Sequence, residues 1–79
     1  MYFVYVIQSS SHGTRYVGST EDPEKRLNEH SLGKCRYTKG RKPWNLIHKE
    51  TYTTRAEAIK REKFLKSGQG RKWLDEILN

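Results

Sequence analysis

Cysteine is nearly absent from this chain of 79 residues, which contains only Cys35. One thiol cannot form an internal disulfide, and without a second cysteine nearby it gives no zinc site of the usual spacing. A catalytic thiol would also need a positioned base, so an inert loop cysteine is the simpler interpretation. We therefore expect a reducing, cytoplasmic setting for this protein.

Long hydrophobic runs are also missing. The apolar stretch Met1–Ile7 is too short for a signal peptide and follows no cationic segment. No segment approaches the roughly 20 apolar residues that span a bilayer, and we find neither an internal repeat nor a low-complexity linker. Because a chain of this length can build only a thin core, we expect a single domain over residues 1–79.

Acidic residues are scarce relative to basic ones, with 9 Asp and Glu against 16 Lys and Arg and a net charge of +7. This excess indicates an acidic partner, with nucleic acid first and an anionic membrane surface second. The membrane ranks lower because basic residues crowd a predicted loop, 34–44, in which five of the first nine positions are basic. A purely solubilising loop is the alternative to a nucleic-acid-binding groove. In the groove, backbone contact and stacking would come from Lys34, Arg36, Tyr37, Lys39, Arg41, Lys42 and Trp44.

The first part of the chain has the pattern of a β-hairpin. Residues 2–7 and 15–17 are rich in β-branched and aromatic side chains, and the segment between them carries turn residues. If Tyr5 lies opposite Tyr16, the turn centres at residues 10–11, and both tyrosines project from the same face of the sheet. Gly18 then ends the second strand, at a bend or where a ligand approaches closely.

A helix follows the hairpin. Asp and Pro at 22–23 are typical of an N-cap and first helical position, and Gly33 is typical of a stop, so the helix runs to about residue 32. Arg26 and His30 are four positions apart and therefore share one face of this helix.

The rest of the chain predicts one strand and two helices. Strand residues are expected at 46–52, and a capping box at 54–57 opens the next helix, which Gly68 and Gly70 break. The predicted order is β-β-α-β-α-α, an α+β fold with a small three-stranded antiparallel β-sheet flanked by helices. A last short helix brings four side chains to the core: Trp73, Leu74, Ile77 and Leu78.

Glu62 lies in the apolar stripe of the helix that the capping box opens, between Ala58, Ile59 and Leu65 on a helical wheel. A buried unpaired carboxylate is costly, so such a group is usually neutralised, paired or bound to a metal. If the helix is rotated toward solvent, Glu62 could simply pair with Lys66, an interaction of about 0.3 to 0.5 kcal/mol. Both interpretations stay open at this point.

Several separated motifs together resemble the GIY-YIG nuclease superfamily over essentially the whole chain. The similarity is closest to the small free-standing bacterial members, which resemble the N-terminal nuclease domain of the bacterial excinuclease. Phe3 stands where the family has the glycine of its name, and the only late asparagine, Asn79, is not assigned the role that a late asparagine has in many members. The motifs are Phe3-Val4-Tyr5, Tyr16-Val17-Gly18 with Ser19-Thr20, Arg26 with His30, and Arg61-Glu62-Lys63.

The resemblance implies a GIY-YIG endonuclease fold and a metal-dependent endonuclease acting on DNA, including branched or damaged DNA in repair or recombination. Its cofactor would be Mg²⁺, with Mn²⁺ as an alternative, held by Glu62. Tyr16 is favoured as general base with Tyr5 orienting water, although the residues alone do not decide between the two tyrosines. Arg26 would clamp the transition state or tune a tyrosine pKa, and His30 would orient a hydroxyl or protonate the leaving oxygen.

A second interpretation comes from another class of protein. The chain could be a catalytically weak or inactive nucleic-acid-binding module that acts with a protein partner. Both interpretations predict salt-dependent binding of nucleic acid. Only the nuclease predicts strand breaks that a chelator prevents.

Overall fold

The computed structural model describes residues 1–32, 40 and 43–78. Its elements follow the predicted order β-β-α-β-α-α, and three antiparallel strands form one sheet with the strand order β2-β1-β3. The predicted α+β fold is therefore confirmed. The elements are β1 Tyr2–Ser9, β2 Arg15–Thr20, α1 Pro23–Ser31, β3 Trp44–Tyr52, α2 Arg55–Lys66 and α3 Gly68–Leu78.

Several predictions fall outside the described residues. The helix stop at Gly33 and the character of Cys35 are among them, as is Asn79. The same holds for the basic loop positions Lys34, Arg36, Tyr37, Lys39, Arg41 and Lys42. Within the described ranges, no helix has both the length and the apolar character needed to cross a membrane.

The register of the β1–β2 hairpin differs from the prediction. Tyr5 lies opposite Gly18, and Tyr16 lies opposite Ile7, so the prediction that the two tyrosines are direct partners is wrong. The chain reverses later than expected because Gly13 adopts a φ of 71°, a conformation that glycine reaches without strain. Two-residue slippage preserves the face of each side chain, and the tyrosines remain diagonal neighbours on one face.

Gly18 is needed for the position of the Tyr5 ring. A Cβ atom at Gly18 would lie 2.5 Å from the Tyr5 hydroxyl oxygen and 2.7 Å from Cζ. Gly18 does not end β2, which continues to Thr20. The close approach predicted at this glycine is therefore made by a tyrosine ring from the neighbouring strand.

The two faces of the sheet carry separate cores, because successive strand side chains point to opposite sides. The first, which we call the α1 face, holds Tyr5, Ile7 and Trp44, packed against Tyr16 and Leu27. The second, the α2/α3 face, is built from Val4, Val6, Val17, Ala58, Leu65 and Leu74.

The helix starts follow local signals. The Asp22 side chain accepts a hydrogen bond from the Lys25 amide, and the Thr54 hydroxyl accepts one from the Glu57 amide, so both predicted N-caps are confirmed. The break between α2 and α3 lies at the extended residue Ser67, whose hydroxyl oxygen accepts the Gly70 amide proton.

The predicted break at the two glycines is thus wrong in detail. Gly70 belongs to α3, where any Cβ would collide with the carbonyl oxygen of Phe64, so this glycine lets α3 pack closely against α2. The last helix consequently starts at Gly68, earlier than the predicted short helix. Trp73, Leu74 and Leu78 pack in the core as expected, whereas Ile77 is exposed because it lies on the outer side of α3.

Candidate active site

A buried hydrogen bond joins Tyr5 of β1 to His30 of α1. The Tyr5 hydroxyl oxygen lies 3.1 Å from His30 Nε2, and both side chains are buried. A buried polar group without a partner is costly, so each of these groups satisfies the other. Docking of α1 on the sheet therefore depends on a tyrosine and a histidine from two of the resemblance motifs.

Tyr16 completes this cluster of rings. Its ring centroid lies 4.8 Å from that of His30 and 6.3 Å from that of Tyr5. Unlike Tyr5, the Tyr16 side chain is only half-buried. The structure thus brings together Tyr5, Tyr16 and His30 on the α1 face, and leaves Tyr16 as the more accessible tyrosine.

Arg26 lies one turn before His30 on α1 and is also half-buried. Its Nη1 atom is 3.6 Å from the Glu29 carboxylate. Burial is the main cause that lowers the pKa of His30, the positive charge of Arg26 lowers it further, and Glu29 opposes the shift. Because an ordinary histidine pKa is about 6.5, His30 is mainly neutral at pH 7 and has one ring donor and one ring acceptor.

Glu62 lies on the opposite side of the sheet. Its Oε1 atom accepts a hydrogen bond of 2.6 Å from Ser19 Oγ, and its Oε2 atom accepts one of 2.7 Å from Lys66 Nζ. The side chain is 20% exposed and forms the i,i+4 pair with Lys66. Glu62 is therefore largely buried, as its place in the apolar stripe predicted, and it also forms the alternative ion pair with Lys66.

The Glu62 carboxyl is ionised at neutral pH. Burial by itself raises its pKa, but the hydrogen bonds from Lys66 and Ser19 and the nearby positive charges of Lys66 and Lys63 outweigh burial and lower the pKa below its usual value. The group is therefore a permanent negative charge beside β2 under physiological conditions.

The edge strand β2 separates the two groups of candidate residues. Tyr16 and Ser19 are three positions apart on β2, so their side chains point to opposite faces of the sheet. Tyr16 joins His30 on the α1 face, while Ser19 binds Glu62 on the α2/α3 face. The candidate site thus lies on both sides of one edge strand.

Glu62 fits a metal site in which the protein supplies a single carboxylate. Among residues 1–32, 40 and 43–78, no three His, Cys, Asp or Glu side chains cluster as a metal site. Mg²⁺ keeps several waters and is commonly held by one or two carboxylates together with substrate phosphates. An ionised, partly exposed Glu62 suits that arrangement, provided that Lys66 releases the carboxylate.

One predicted binding residue is placed elsewhere. The Trp44 side chain is only 4% exposed and packs with Tyr5 and Ile7. β3 starts at Trp44, two residues before the predicted strand, and this places the indole in the core of the α1 face. The prediction that Trp44 stacks on bases is therefore wrong.

Ser19 is a site residue that the sequence did not single out beyond its place in a motif. Its hydroxyl holds the carboxylate that the sequence did single out. The available signal was alternation along β2, which puts Ser19 on the face away from Tyr16. The missing information was the placement of α2 on that face, since Ser19 and Glu62 are 43 residues apart.

Comparison with known families identifies the class of this domain. The GIY-YIG catalytic domain matches residues 1–73 of the chain. The chain therefore belongs to the GIY-YIG nuclease family, as the separated motifs predicted.

Individual relatives carry a narrower family label. A UPF0213 protein of Staphylococcus epidermidis is 42% identical over 67 residues, which cover 84% of this chain and 80% of the relative. A UPF0213 protein of Halobacterium salinarum is 44% identical over 63 residues, covering 78% and 80% of the two chains. The solution NMR structure of a UPF0213 protein from Bacillus halodurans is 30% identical, with a TM-score of 0.59, and the match covers 98% of this chain and 85% of that one. These names specify a family and no reaction.

Proposed function

We propose that this protein is a metal-dependent endonuclease that hydrolyses phosphodiester bonds of DNA, including branched or damaged DNA, with Mg²⁺ or Mn²⁺ as cofactor. The main support is the position of the ionised Glu62 carboxylate beside β2. The same strand carries Tyr16, whose ring packs with the Tyr5–His30 pair. Membership of the GIY-YIG nuclease family supports the reaction class. The single cysteine supports the proposed cytoplasmic setting.

Tyr16 is the better general base of the two tyrosines. A base must reach the proton that it removes, and Tyr16 is half-buried whereas Tyr5 is buried and bonded to His30. We therefore assign Tyr5 to positioning His30 and the Tyr16 ring, in place of the expected role in orienting water. The role of base needs the phenolate form of a tyrosine, which a nearby cation favours.

Arg26 and His30 take different roles. The half-buried Arg26 guanidinium can bind nonbridging phosphate oxygens in bidentate fashion, where the transition state gathers negative charge. His30 is buried, and its lowered pKa leaves little of the protonated form available to donate a proton at neutral pH. Its burial supports orientation of Tyr5 and Tyr16 over protonation of the leaving oxygen.

Glu62 would hold the divalent cation, with Ser19 fixing the orientation of the carboxylate. A bound Mg²⁺ ion would supply Lewis acidity and would lower the pKa of a bound water. Lys66 would move to solvent or to a substrate phosphate, because its side chain is 50% exposed.

One observation favours the second interpretation, a nucleic-acid-binding module that has little activity without a partner. Both Glu62 carboxylate oxygens already have hydrogen-bond donors, so the carboxylate is satisfied without a metal. In that case Glu62 and Lys66 form an ordinary helical ion pair beside a basic surface.

The test is cleavage of supercoiled, linear, single-stranded and branched DNA and of RNA, with Mg²⁺, Mn²⁺ or EDTA. The nuclease predicts DNA cutting that EDTA prevents and that falls about 10²- to 10³-fold in both Glu62→Gln and Tyr16→Phe. Glu76→Gln, on the exposed side of α3, is the matched control and should cut like the wild type. Binding without cutting, unchanged in all three variants, would instead establish the non-catalytic module.

A further inference from the structure

A basic cleft lies along the edge strand on the α2/α3 face. It has a volume of about 710 Å³ and lies between the hairpin end of β2 and the corner where α2 meets α3. Val17, Leu65 and Leu74 contribute apolar lining, and Tyr16 also borders the cleft. The cleft therefore lies along the edge strand β2, whose opposite face carries the Tyr16 ring.

In the part of the chain that the structure describes, three cations and one anion line this cleft. Arg15 pairs with Asp75, and Lys66 pairs with Glu62. Arg71 is exposed and has no ion pair within residues 1–32, 40 and 43–78. An arginine of this kind has all its guanidinium donors available for an anionic ligand.

The cleft is connected to the proposed metal ligand through Lys66. Lys66, which lines the cleft, is the residue that bonds to Glu62. A second cavity of about 220 Å³ lies farther along β2 and is lined by Ser19, the other partner of Glu62, and by Arg55. Each cavity is thus lined by one partner of Glu62 and by at least one arginine, and the second cavity is also lined by Glu21.

We propose that the cleft bordered by Arg15, Lys66 and Arg71 binds the phosphodiester backbone of the substrate strand on one side of the scissile phosphate. Arg71 makes the principal phosphate contact, and Lys66 exchanges Glu62 for a phosphate oxygen. The inference rests on the proposed function for the class of substrate. It adds a strand path along β2 and a binding surface separate from the loop 34–44.

A backbone strand fits this surface better than a single small anion. The three cations come from three different elements, the start of β2, the end of α2 and the first turn of α3, along a cleft of about 710 Å³. Arginine and lysine contacts to successive phosphates carry no base preference, so binding through this cleft is independent of sequence and depends strongly on salt.

The test measures DNA binding by fluorescence anisotropy in EDTA, where cleavage cannot occur, with labelled duplex and single-stranded DNA. We expect Arg71→Ala to weaken binding about tenfold at low salt, and to reduce the slope of log affinity against log salt by about 1. Arg71→Glu should weaken binding further. The matched control is Lys72→Ala, which removes the same charge from the next position of α3 outside the cleft, and should change affinity less than about twofold.

Equal losses in Arg71→Ala and Lys72→Ala would overturn the inference, because binding would then depend only on net charge. Competition by inorganic phosphate at concentrations far below those of DNA phosphates would also overturn it, in favour of a free-anion site. If the wild type binds DNA through Arg71 but never cuts it, the cleft is supported and the proposed nuclease fails. If the wild type cuts and Arg71→Ala cuts with an unchanged KM, the nuclease is supported and the cleft is overturned.

Discussion

Glu50 and Glu62 are two carboxylates of similar exposure on the same side of the sheet, 17% and 20%, with different surroundings. Glu50 of β3 accepts hydrogen bonds from His48 Nε2 at 2.8 Å, from the Tyr52 hydroxyl at 2.6 Å, and from Arg61 Nε and Nη2 at 2.9 and 3.2 Å. Glu62 of α2 accepts one from Ser19 and one from Lys66. Among the described residues, four donor atoms bond to the first carboxylate and two to the second, so each oxygen of Glu62 can accept a further bond.

The donors differ in mobility as well as in number. The Arg61 guanidinium lies 4.6 Å from the Trp73 ring centroid and 4.8 Å from that of Phe64, so its position is fixed by stacking. The Lys66 ammonium is on a flexible, half-exposed side chain. Glu50 therefore joins β3 to α2 and α3, while Glu62 can exchange a partner for a ligand.

The largest effect on stability is expected for Glu50→Gln. The substitution removes the charge that Arg61 and His48 surround, and we expect a loss of about 2 to 3 kcal/mol in the free energy of unfolding at pH 7. Urea denaturation measures it. Glu62→Gln, the matched change at a carboxylate with fewer donors, should cost less than about 1 kcal/mol. Equal losses of unfolding free energy in the two variants would show that the two carboxylates contribute equally to stability.

Acid should weaken the fold through Glu50. Burial raises its pKa, but hydrogen bonds from Arg61, His48 and Tyr52 lower it from 4.5 to about 2. A depressed folded-state pKa stabilises the protein above pH 4.5, and this stabilisation disappears as the pH falls toward 2. We expect the wild type to lose about 2 kcal/mol more than Glu50→Gln between pH 7 and pH 3. Parallel pH profiles of the two proteins would contradict the assignment.

Tyr5→Phe should have a moderate effect on the α1 face. It removes the hydroxyl from the buried Tyr5–His30 hydrogen bond and leaves a histidine nitrogen without that partner, at a cost of about 1 to 2 kcal/mol. Thermal unfolding measures the loss. Tyr16→Phe, at a half-buried ring, should leave stability nearly unchanged while it removes cleavage, and the reverse pattern would exchange the roles assigned to the two tyrosines.

Lys66→Ala should change stability least. The pair with Glu62 is half-exposed on the lysine side, so its loss should cost about 0.3 to 0.5 kcal/mol. Urea denaturation measures this cost. A loss above about 1 kcal/mol would mean that Lys66 is a structural partner of Glu62, comparable to Arg61 at Glu50.

Sequence predicted the features that depend on local periodicity. The caps at Asp22 and Thr54 and the element order follow from short-range rules, and a carboxylate in a helical apolar stripe was visible at Glu62. The predicted β1–β2 register was wrong because the register depends on the turn conformation at Gly13. Residue types alone do not determine that conformation.

Features that depend on contacts between distant segments could not be predicted from the sequence. The Glu50 cluster joins β3 to α2 through Arg61, which the sequence marked only as part of a motif. Trp44 was assigned to a loop because the strand signal begins after it, and its burial depends on pairing with Ser9 of β1. These predictions failed because the contacting residues are far apart in the sequence, although their residue types suited the contacts.

The most direct test of the difference between the two carboxylates is a Mn²⁺ titration of the ¹⁵N-labelled protein bound to nuclease-resistant DNA. Paramagnetic Mn²⁺ broadens the amide signals of residues near it. Broadening at Ser19 and Glu62 that is abolished by Glu62→Gln and kept in Glu50→Gln would support Glu62 as the metal ligand. Broadening that survives Glu62→Gln, or that is lost in Glu50→Gln while that variant remains folded, would contradict the account.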